Sequence, residues 1–474
     1  MHHLLQRPHE CNTHCNRHYT FYLHASPHLS TPKRSQNAPQ RLRFALRALR
    51  HRNFRLFTVG QSVSMIGAWM QQVAMGWLVY RLTNSAFLLG LVAFASQSPV
   101  FFLGPFAGVI ADRANRHRVV IVMQAAMMLQ ASVLAFLVFT GRIQYWHVLV
   151  LSGFFGIINA FEIPARQAFL LEMVKSREDL PNAIALNSSI FNGARLIGPA
   201  IAGFVIAAFG ESVAFISNAV SYLAVLIALF AMQIEPRERK QIRGRVLASL
   251  RAGFRYGFGF LPIRVVLNLV AAAALFGVPF TVLLPVLAVE TLHGDARTLG
   301  FLMSATGVGA LSGALYLAAR TSVRGLSKVI AFSATLFGAA LVVLGLSGTL
   351  WLSLITLAVA GFGMMVLMAA SNTFLQTVAD EDKRGRVVSM YTMSYIGMAP
   401  FGSLLAGAIA QRIAAPFTIA VGGVTVMIAS GLFARHIPQF RELVRPIYRE
   451  LGIIPEVASG IQAATQLTSS PEEH

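Results

Sequence analysis

Two ionisable residues interrupt otherwise apolar stretches of the sequence. Arg195 lies in NGARLIGPAIAG (192–203), and Glu162 is the one acidic residue inside the first six apolar runs. Counted along helices, Glu162 lies roughly 12 Å from the end of its run and Arg195 roughly 18 Å from the start of the next. A charge at that depth of a membrane needs a partner or a water-filled cavity. We therefore predict a Glu162–Arg195 ion pair that opens when Glu162 takes up a proton.

Each residue also has a structural interpretation that stays open. Glu162 could be a carboxylate bound to Arg166 or to the following loop, and Arg195 could bond to backbone carbonyls of neighbouring helices. The corresponding positions in the second half of the chain are Leu367 and Ala399. Only the first half carries the charges, which is expected if one half couples to protons.

Polar and aromatic side chains on the apolar runs are candidates for contact with a substrate. Side chains of this kind also bond helices to one another, so a structural role is an equal alternative. The apolar runs carry few fixed charges and many adaptable apolar side chains, which favours an amphiphilic substrate. The predicted substrate-binding residues are Gln61, Ser64, Gln71, Gln97, Asn187, Asn192, Tyr391 and Tyr395.

The elements that must position these residues are long apolar runs. The chain is 55% hydrophobic and 12% charged, against about 25% charged residues in soluble domains. Runs longer than 18 residues span a bilayer as helices, so we predict an all-α membrane protein with twelve transmembrane helices. The runs are 56–80, 86–111, 119–140, 146–170, 183–209, 213–234, 264–289, 298–319, 327–347, 350–378, 387–411 and 416–436.

The net charge of +20 is mostly a topology signal. With every second loop assigned to one side, that side carries 30 Lys and Arg residues and the other carries Arg81, Arg142, Arg297 and Arg412. Basic loops remain cytoplasmic, so both termini are predicted inside the cell inner membrane. Nucleic-acid binding is not needed to explain the basic charge.

The runs divide the chain into two bundles joined by the longest internal connection. The tail contains Cys11, His14, Cys15 and His18, which loosely resemble metal-ligand spacing, but no second ligand pair follows. The predicted segments are a disordered tail (1–40), a basic interfacial lead-in (41–55), a six-helix bundle (56–234), a linker with an amphipathic helix (235–263), a second six-helix bundle (264–436) and a cytoplasmic tail (437–474).

The two bundles share a glycine pattern that indicates a duplicated unit. FNGARLIGPAIAG (191–203) aligns with YIGMAPFGSLLAG (395–407) at an offset of 204 residues. Parallel repeats of this kind build transporters with a substrate site between the halves. The predicted helix-packing residues are Gly193, Gly198, Pro199, Gly203, Gly397, Gly402 and Gly407.

The loop after the second run reads GPFAGVIADRANRHRVV and resembles the signature loop of the major facilitator superfamily. It departs at Asn115, where glycine is usual; asparagine is the next-best residue for a left-handed turn. Asp112 could pair with a basic residue at the start of run 11, and this pair would act as a latch that holds the cytoplasmic side closed. The predicted latch residues are Gly108, Asp112, Arg113, Arg116, Arg118, Arg384 and Arg386.

The resemblance covers nearly all of 45–436. WLVYRLTNSAFLLG and IPARQAFLLEMV resemble the subfamily that includes the enterobactin exporter and macrolide-efflux-like proteins. This resemblance implies a secondary transporter that exports an amphiphilic compound against a proton gradient by alternating access. Ser152 occupies the place where related drug exporters often carry a coupling arginine, so Arg195 could substitute for it or coupling could differ.

No nucleophile–base pair, metal cluster or phosphate-binding glycine loop is visible, so we expect neither an enzyme nor a cofactor. The expected partners are a small-molecule substrate, protons and the lipid bilayer, with the chain acting as a monomer. Two alternatives remain: an importer with the same fold, and a membrane scaffold or sensor that transports nothing.

Overall fold

The computed structural model describes residues 46–174, 176, 178–233, 255–320 and 322–450, without the side chains at positions 105, 108, 109, 111–113, 441 and 450. The predicted disordered tail and the cysteine-containing segment lie outside the described residues. The same holds for the start of the lead-in, for most of the predicted linker with its amphipathic helix, and for residues after 450.

The described chain is helical and follows the predicted runs closely. We number its long helices in chain order. They are α1 (Arg52–Thr83), α2 (Ala86–Arg113), α3 (Arg116–Phe139), α4 (Tyr145–Met173), α5 (Leu180–Phe209), α6 (Glu211–Phe230), α7 (Leu261–Thr291), α8 (Ala296–Ala318), α9 (Leu326–Leu346), α10 (Leu350–Val378), α11 (Arg384–Ile413), α12 (Ala415–Arg435) and α13 (Ile437–Glu450).

Among the described residues, the eleven helices α2 to α12 are long and apolar enough to cross a membrane. Helix α1 is 32 residues long but carries several polar side chains, including Gln61, Gln71 and Gln72. The prediction of an all-α membrane fold is confirmed. Helices suit this environment because they satisfy their backbone hydrogen bonds internally.

Short polar residues set the helix starts. Ser85 accepts a hydrogen bond from Leu88 N at the start of α2, and Asp295 accepts from Arg297 N at the start of α8. Such side chains satisfy backbone donors that the first helical turn leaves free. Asn115 does the same for α3 with φ −73°, so the prediction of a left-handed turn at this residue is wrong.

Two long helices are not regular throughout. Helix α7 contains two π-helical stretches, Ala273–Gly277 and Leu287–Thr291. Helix α11 is interrupted after Tyr395 and resumes at Ala399. Pro400 lies at the start of the second segment, where its missing N–H does not break a hydrogen bond.

The first six and the next six helices pack in the same pattern. In the first half, α2 packs on α4, α3 on α4 and α6, and α1 on α5 and α6. In the second half, α8 packs on α10, α9 on α10 and α12, and α12 and α11 on α7. The halves meet where α2 lies against α11 and α5 lies against α8.

We call the end of the bundle where α1 begins the basic face and the end where α1 finishes the opposite face. On the basic face, the described part of the predicted interfacial lead-in contains a short 3-10 helix, Arg47–Arg50, and α1 begins at Arg52. The position of the lead-in on the membrane surface stays a prediction. The predicted C-terminal tail also begins with a helix, α13. Its Phe440 is 2% exposed and packs between the rings of Phe374 and Phe433.

Candidate functional site

Glycines bring the two halves into backbone contact at two matching places. A Cβ built on Gly203 of α5 would lie 3.2 Å from Gly300 Cα on α8. A Cβ built on Gly407 of α11 would lie 3.0 Å from Gly90 Cα on α2. Both contacts therefore exclude any larger residue without a shift of the helices.

The other predicted packing residues differ in whether they lie at a close contact between helices. Gly198 faces the Cβ of Trp69, Gly402 faces Leu275 O, Gly397 faces the ring of Phe101, and Pro199 is buried with its carbonyl against Gly300. Gly193 is the exception, because a Cβ there would meet no atom within 4 Å. The prediction of a packing role for Gly193 is therefore wrong.

Arg195 lies where the close contact between α5 and α8 ends. Its backbone faces Gly307 of α8, and its guanidinium lies 5.8 Å from the centroid of the Trp69 ring on α1. Tyr395 of α11, in the other half, lies in the neighbourhood of the same guanidinium. Among the described residues, no carboxylate lies within ion-pair distance of Arg195.

Glu162 is buried in the first half, 3% exposed, and its partner is Arg166. Arg166 Nε donates to Glu162 Oε1 at 2.7 Å, one helical turn away on α4. Gln124 Nε2 of α3 donates to the same oxygen at 3.3 Å. Tyr222 of α6 is close enough to interact electrostatically with the carboxylate.

The predicted ion pair between Glu162 and Arg195 is therefore absent. Helix α4 packs along α2 and α3, whereas α5 packs along α1 and α8, so these consecutive helices do not lie side by side. Glu162 faces α3 and α6, and Arg195 faces α1 and α11. Similar expected depths in the membrane did not make them neighbours, and the structural alternative for Glu162 describes this conformation.

Gln71, predicted to bind substrate, instead joins three helices. Asn218 Nδ2 of α6 donates to Gln71 Oε1 at 2.8 Å, and Gln71 Nε2 donates to Gln130 Oε1 of α3 at 3.1 Å. All three side chains are buried. Tyr222, one helical turn after Asn218 on α6, is also buried.

The remaining predicted substrate-binding residues fall into two groups. Gln61, Ser64 and Asn192 are buried, and Asn192 Nδ2 donates to Ser188 O of its own helix at 2.8 Å. The half-buried group lies nearer to the gap between the halves. It comprises Gln97, Asn187, Tyr391, whose hydroxyl donates to Met368 O at 2.9 Å, and Tyr395, whose ring stacks on Tyr391.

On the opposite face, polar contacts that the sequence analysis missed tie the halves together. Tyr80 Oη of α1 donates to Glu290 Oε1 of α7 at 2.5 Å. Gln411 Oε1 of α11 accepts from Ser85 Oγ at 2.8 Å and from Phe87 N at 3.2 Å. Nothing in the local sequence distinguishes these residues from ordinary helix ends.

Towards the basic face, exposed side chains replace such contacts on the helices that join the halves. Phe106 of α2, Ile184 of α5 and Tyr316 of α8 are 59%, 50% and 44% exposed. The named contacts between the halves lie between the opposite face and the level of Arg195. Among the described side chains, the halves therefore make their contacts on the side of the opposite face.

The predicted latch residues lie at the basic face. Arg116 Nη1 donates to Glu172 Oε1 of α4 at 2.8 Å, and Arg118 is exposed. Arg384 and Arg386 at the start of α11 are exposed, and Arg384 borders a cavity with Thr373, Gln376 and Thr377. The side chains of Asp112 and Arg113 lie outside the described ones, as does the burial of Gly108, so the pairing stays a prediction.

A buried acid next to the basic face was also missed. Asp179 precedes α5, is 1% exposed and accepts from Arg50 Nη2 at 2.6 Å, while His51 Nε2 lies 2.8 Å from the same oxygen. Asn182 Oδ1 accepts from Ala48 N. These bonds fix the 3-10 helix onto the start of α5. The hydrogen bond with His51, followed by that with Arg50, lowers the pKa of Asp179 below its ordinary value.

Residues 44–445 match the family of transmembrane secretion effectors. The staphyloferrin A transporter of Staphylococcus aureus is 26% identical over 373 residues, which cover 78% of this chain and 92% of that protein. The multidrug efflux pump Tap of Mycolicibacterium fortuitum is 25% identical over 78% of this chain and 92% of its own length. Macrolide efflux protein A of Streptococcus pyogenes is 23% identical over 81% and 95%.

Solved structures share the fold at low sequence identity. A bacterial homologue of the human lysosomal transporter Spinster, solved in an inward-facing and unoccupied conformation, has a TM-score of 0.61 at 15% identity and covers 82% of this chain and 97% of its own. The nucleoside transporter NupG has a TM-score of 0.62 at 11% identity and covers 81% and 99%.

Proposed function

This chain belongs to the transmembrane secretion effector family of the major facilitator superfamily, and from that premise we propose that it exports an amphiphilic small molecule against a proton gradient. It is a transporter by family, not an enzyme. The relatives named for siderophore transport and for drug or macrolide efflux favour a siderophore-like or drug-like substrate. The observation that carries the proposal is that the contacts between the halves, among the described side chains, lie on the side of the opposite face.

In this proposal the basic face is cytoplasmic and the membrane is the cell inner membrane. The excess of Lys and Arg in every second loop supports this orientation. The gap between the halves then opens to the cytoplasm, from which an exported substrate enters. One chain contributes both halves of the site, which supports a monomer as the working unit.

Alternating access would proceed by rocking of the halves around the two glycine contacts. Closing the cytoplasmic side would bring the end of α2 towards the start of α11, where Arg384 and Arg386 are exposed. Asp112 is the acid that could pair with them there. Opening the other side would break the Tyr80–Glu290 and Ser85–Gln411 hydrogen bonds.

Glu162 is the proposed proton carrier, with Arg166 in place of Arg195 as the charge that it releases. Glu162 is 3% exposed, and Arg166 Nε at 2.7 Å compensates its charge, as a buried carboxylate requires. Protonation would cancel the pair with Arg166 and leave a neutral acid beside Gln124. A displacement of α4 would then be passed to α2, because α4 packs on α2. Helix α2 in turn contacts the second half.

Transport into inverted membrane vesicles tests the proposal. Vesicles that contain the chain should accumulate a member of a siderophore and drug panel when an acid-inside gradient is imposed, and should lose that accumulation when the gradient is collapsed. Vesicles that carry the Asp112→Asn variant should accumulate less at equal protein content. Substrate accumulation only in right-side-out cells would identify an importer, and no flux of any compound would favour a scaffold or sensor.

A further inference from the structure

Arg195 is a half-buried positive charge between the halves, and no described residue forms an ion pair with it. Arg195 reaches from α5 towards Trp69 of α1 and Tyr395 of α11, which belong to different halves. No described carboxylate is within ion-pair distance of it, and Glu162 is bound to Arg166 elsewhere in the first half. We propose that Arg195 is the binding group for an anion, so the transported amphiphile carries a carboxylate or another anionic group.

The surroundings of Arg195 fit this role. Trp69 lies beneath the guanidinium at 5.8 Å and also packs edge-on against Phe191 at 5.9 Å. A ring in this position holds the cation by its face and leaves the planar N–H fork available to a carboxylate, which binds such a fork with two hydrogen bonds. Tyr395 brings an aromatic residue of the other half into the same neighbourhood.

The position of the charge also separates the polar part of the site from an apolar part. Phe94 and Phe101 of α2 pack against Phe401 of α11 at 5.7 and 6.0 Å, across the other contact between the halves. An amphiphile could place its anionic group on Arg195 and its apolar part along these rings. An unpaired guanidinium within a membrane is costly, and a substrate anion would offset that cost.

The inference rests on the proposed function, but it can be tested by binding alone. The purified chain is placed in nanodiscs of phosphatidylcholine and titrated with 8-anilinonaphthalene-1-sulfonate or with N-phenyl-1-naphthylamine. The two probes share an aromatic frame and differ by the sulfonate. Arg195→Gln should weaken binding of the sulfonate probe about tenfold or more, as expected for loss of charged hydrogen bonds, and leave the neutral probe unchanged.

Two matched variants control for folding and for generic charge effects. Arg195→Lys keeps the charge without the planar fork and should recover part of the affinity. Arg142→Gln removes an exposed arginine from the loop after α3 and should bind both probes as the wild type does. The place of binding is checked in a chain whose Trp77, Trp146 and Trp351 are replaced by Phe, so that energy transfer to the probe comes from Trp69.

A second set of nanodiscs identifies the source of the anion. If an anionic lipid headgroup is the natural ligand, phosphatidylglycerol in the disc should compete with the sulfonate probe in the wild type and not in Arg195→Gln. If the ligand is soluble, the lipid should leave the affinity unchanged. Both results keep the anion site.

Equal affinity of the wild type and Arg195→Gln for the sulfonate probe would overturn the inference. An equal loss of affinity for the two probes in Arg195→Gln would overturn it as well. Neither result depends on transport. Failure of vesicle export with intact, Arg195-dependent probe binding would count against the proposed function alone. Proton-driven export that is unchanged in Arg195→Gln would count against the anion site alone.

Discussion

Glu162 and Arg166 are four residues apart on α4, and their side chains meet at 2.7 Å inside the first half. The pair joins a larger set of buried polar groups through Gln124 and Tyr222. Breaking a buried ion pair by removing one partner leaves the other charge uncompensated. A change of charge at Glu162 would therefore disturb side-chain contacts shared by α3 and α4.

The first prediction concerns Glu162→Gln, which keeps the size of the side chain and removes its charge. We expect proton-driven accumulation in inverted vesicles to fall at least tenfold, because the variant cannot exchange a proton at this position, and we expect its residual transport to lose pH dependence. Glu211→Gln is the matched control. Its carboxylate binds Arg81 at the same 2.7 Å at the opposite face, and coupling should persist there. An unchanged pH profile in Glu162→Gln would remove the residue from the coupling mechanism.

The second prediction uses the glycine contacts. In Gly300→Ala the new carbon would lie 2.6 Å from Pro199 O, and in Gly90→Ala it would lie 2.5 Å from Ser403 O. Overpacking of this kind costs about 1–3 kcal/mol, so each variant should destabilise the state closed on the opposite face about tenfold. The rate of thiol labelling of a cysteine that replaces Ser85 reports opening of the opposite face.

Gly193→Ala is the control for this experiment. It lies on α5, but a side chain there meets no atom within 4 Å, and replacing glycine by alanine inside a helix is otherwise neutral or stabilising. Labelling should stay at the wild-type level. If Gly300→Ala and Gly193→Ala label equally, the glycine contacts do not control closure.

The sequence predicts well where the long apolar helices lie along the chain and predicts poorly which side chains become neighbours. Apolar length and charge determined the runs, and the glycine offset identified the two matching contacts, because these signals repeat in the sequence. The Glu162–Arg195 pair was wrong because depth specifies one coordinate, while helix rotation and the order of helices around the bundle decide which side chains meet. In this fold α1 and α8, and not α4, pack along α5.

Contacts between distant segments gave no local signal. Tyr80 and Glu290 are 210 residues apart, and Asp179 lies 128 residues from His51. Each looks like a common residue at a helix end. Gln71 did stand out as a polar residue on an apolar helix, but its buried bonds to Asn218 and Gln130 could be distinguished from substrate contact only in the folded bundle.

The third prediction addresses the contact between Tyr80 and Glu290. Tyr80→Phe removes only the hydroxyl that donates to Glu290. Hydrogen bonds to charged groups contribute about 1.5–3 kcal/mol, and because Glu290 is exposed we expect the lower end. The closed opposite face should therefore lose about tenfold in population, seen as faster thiol labelling of a cysteine at Ser85. Tyr145→Phe, at an exposed tyrosine with no described bond to the other half, should label as the wild type does.

The fourth prediction is a pH dependence of stability at Asp179. Its pKa is lowered in the folded chain, chiefly by the hydrogen bond with His51 and then by that with Arg50. A carboxyl with a lowered folded pKa stabilises the fold above its unfolded pKa, near about 4, and loses that contribution as the pH falls through the folded pKa. Asp179→Asn should therefore lower the Tm in nanodiscs at neutral pH, and the difference from the wild type should shrink below about pH 4.

Glu381→Gln removes an exposed carboxylate and should leave the Tm unchanged throughout. A Tm difference for Asp179→Asn that is the same at pH 7 and well below pH 4 would mean that the charge of Asp179 does not hold the 3-10 helix in place.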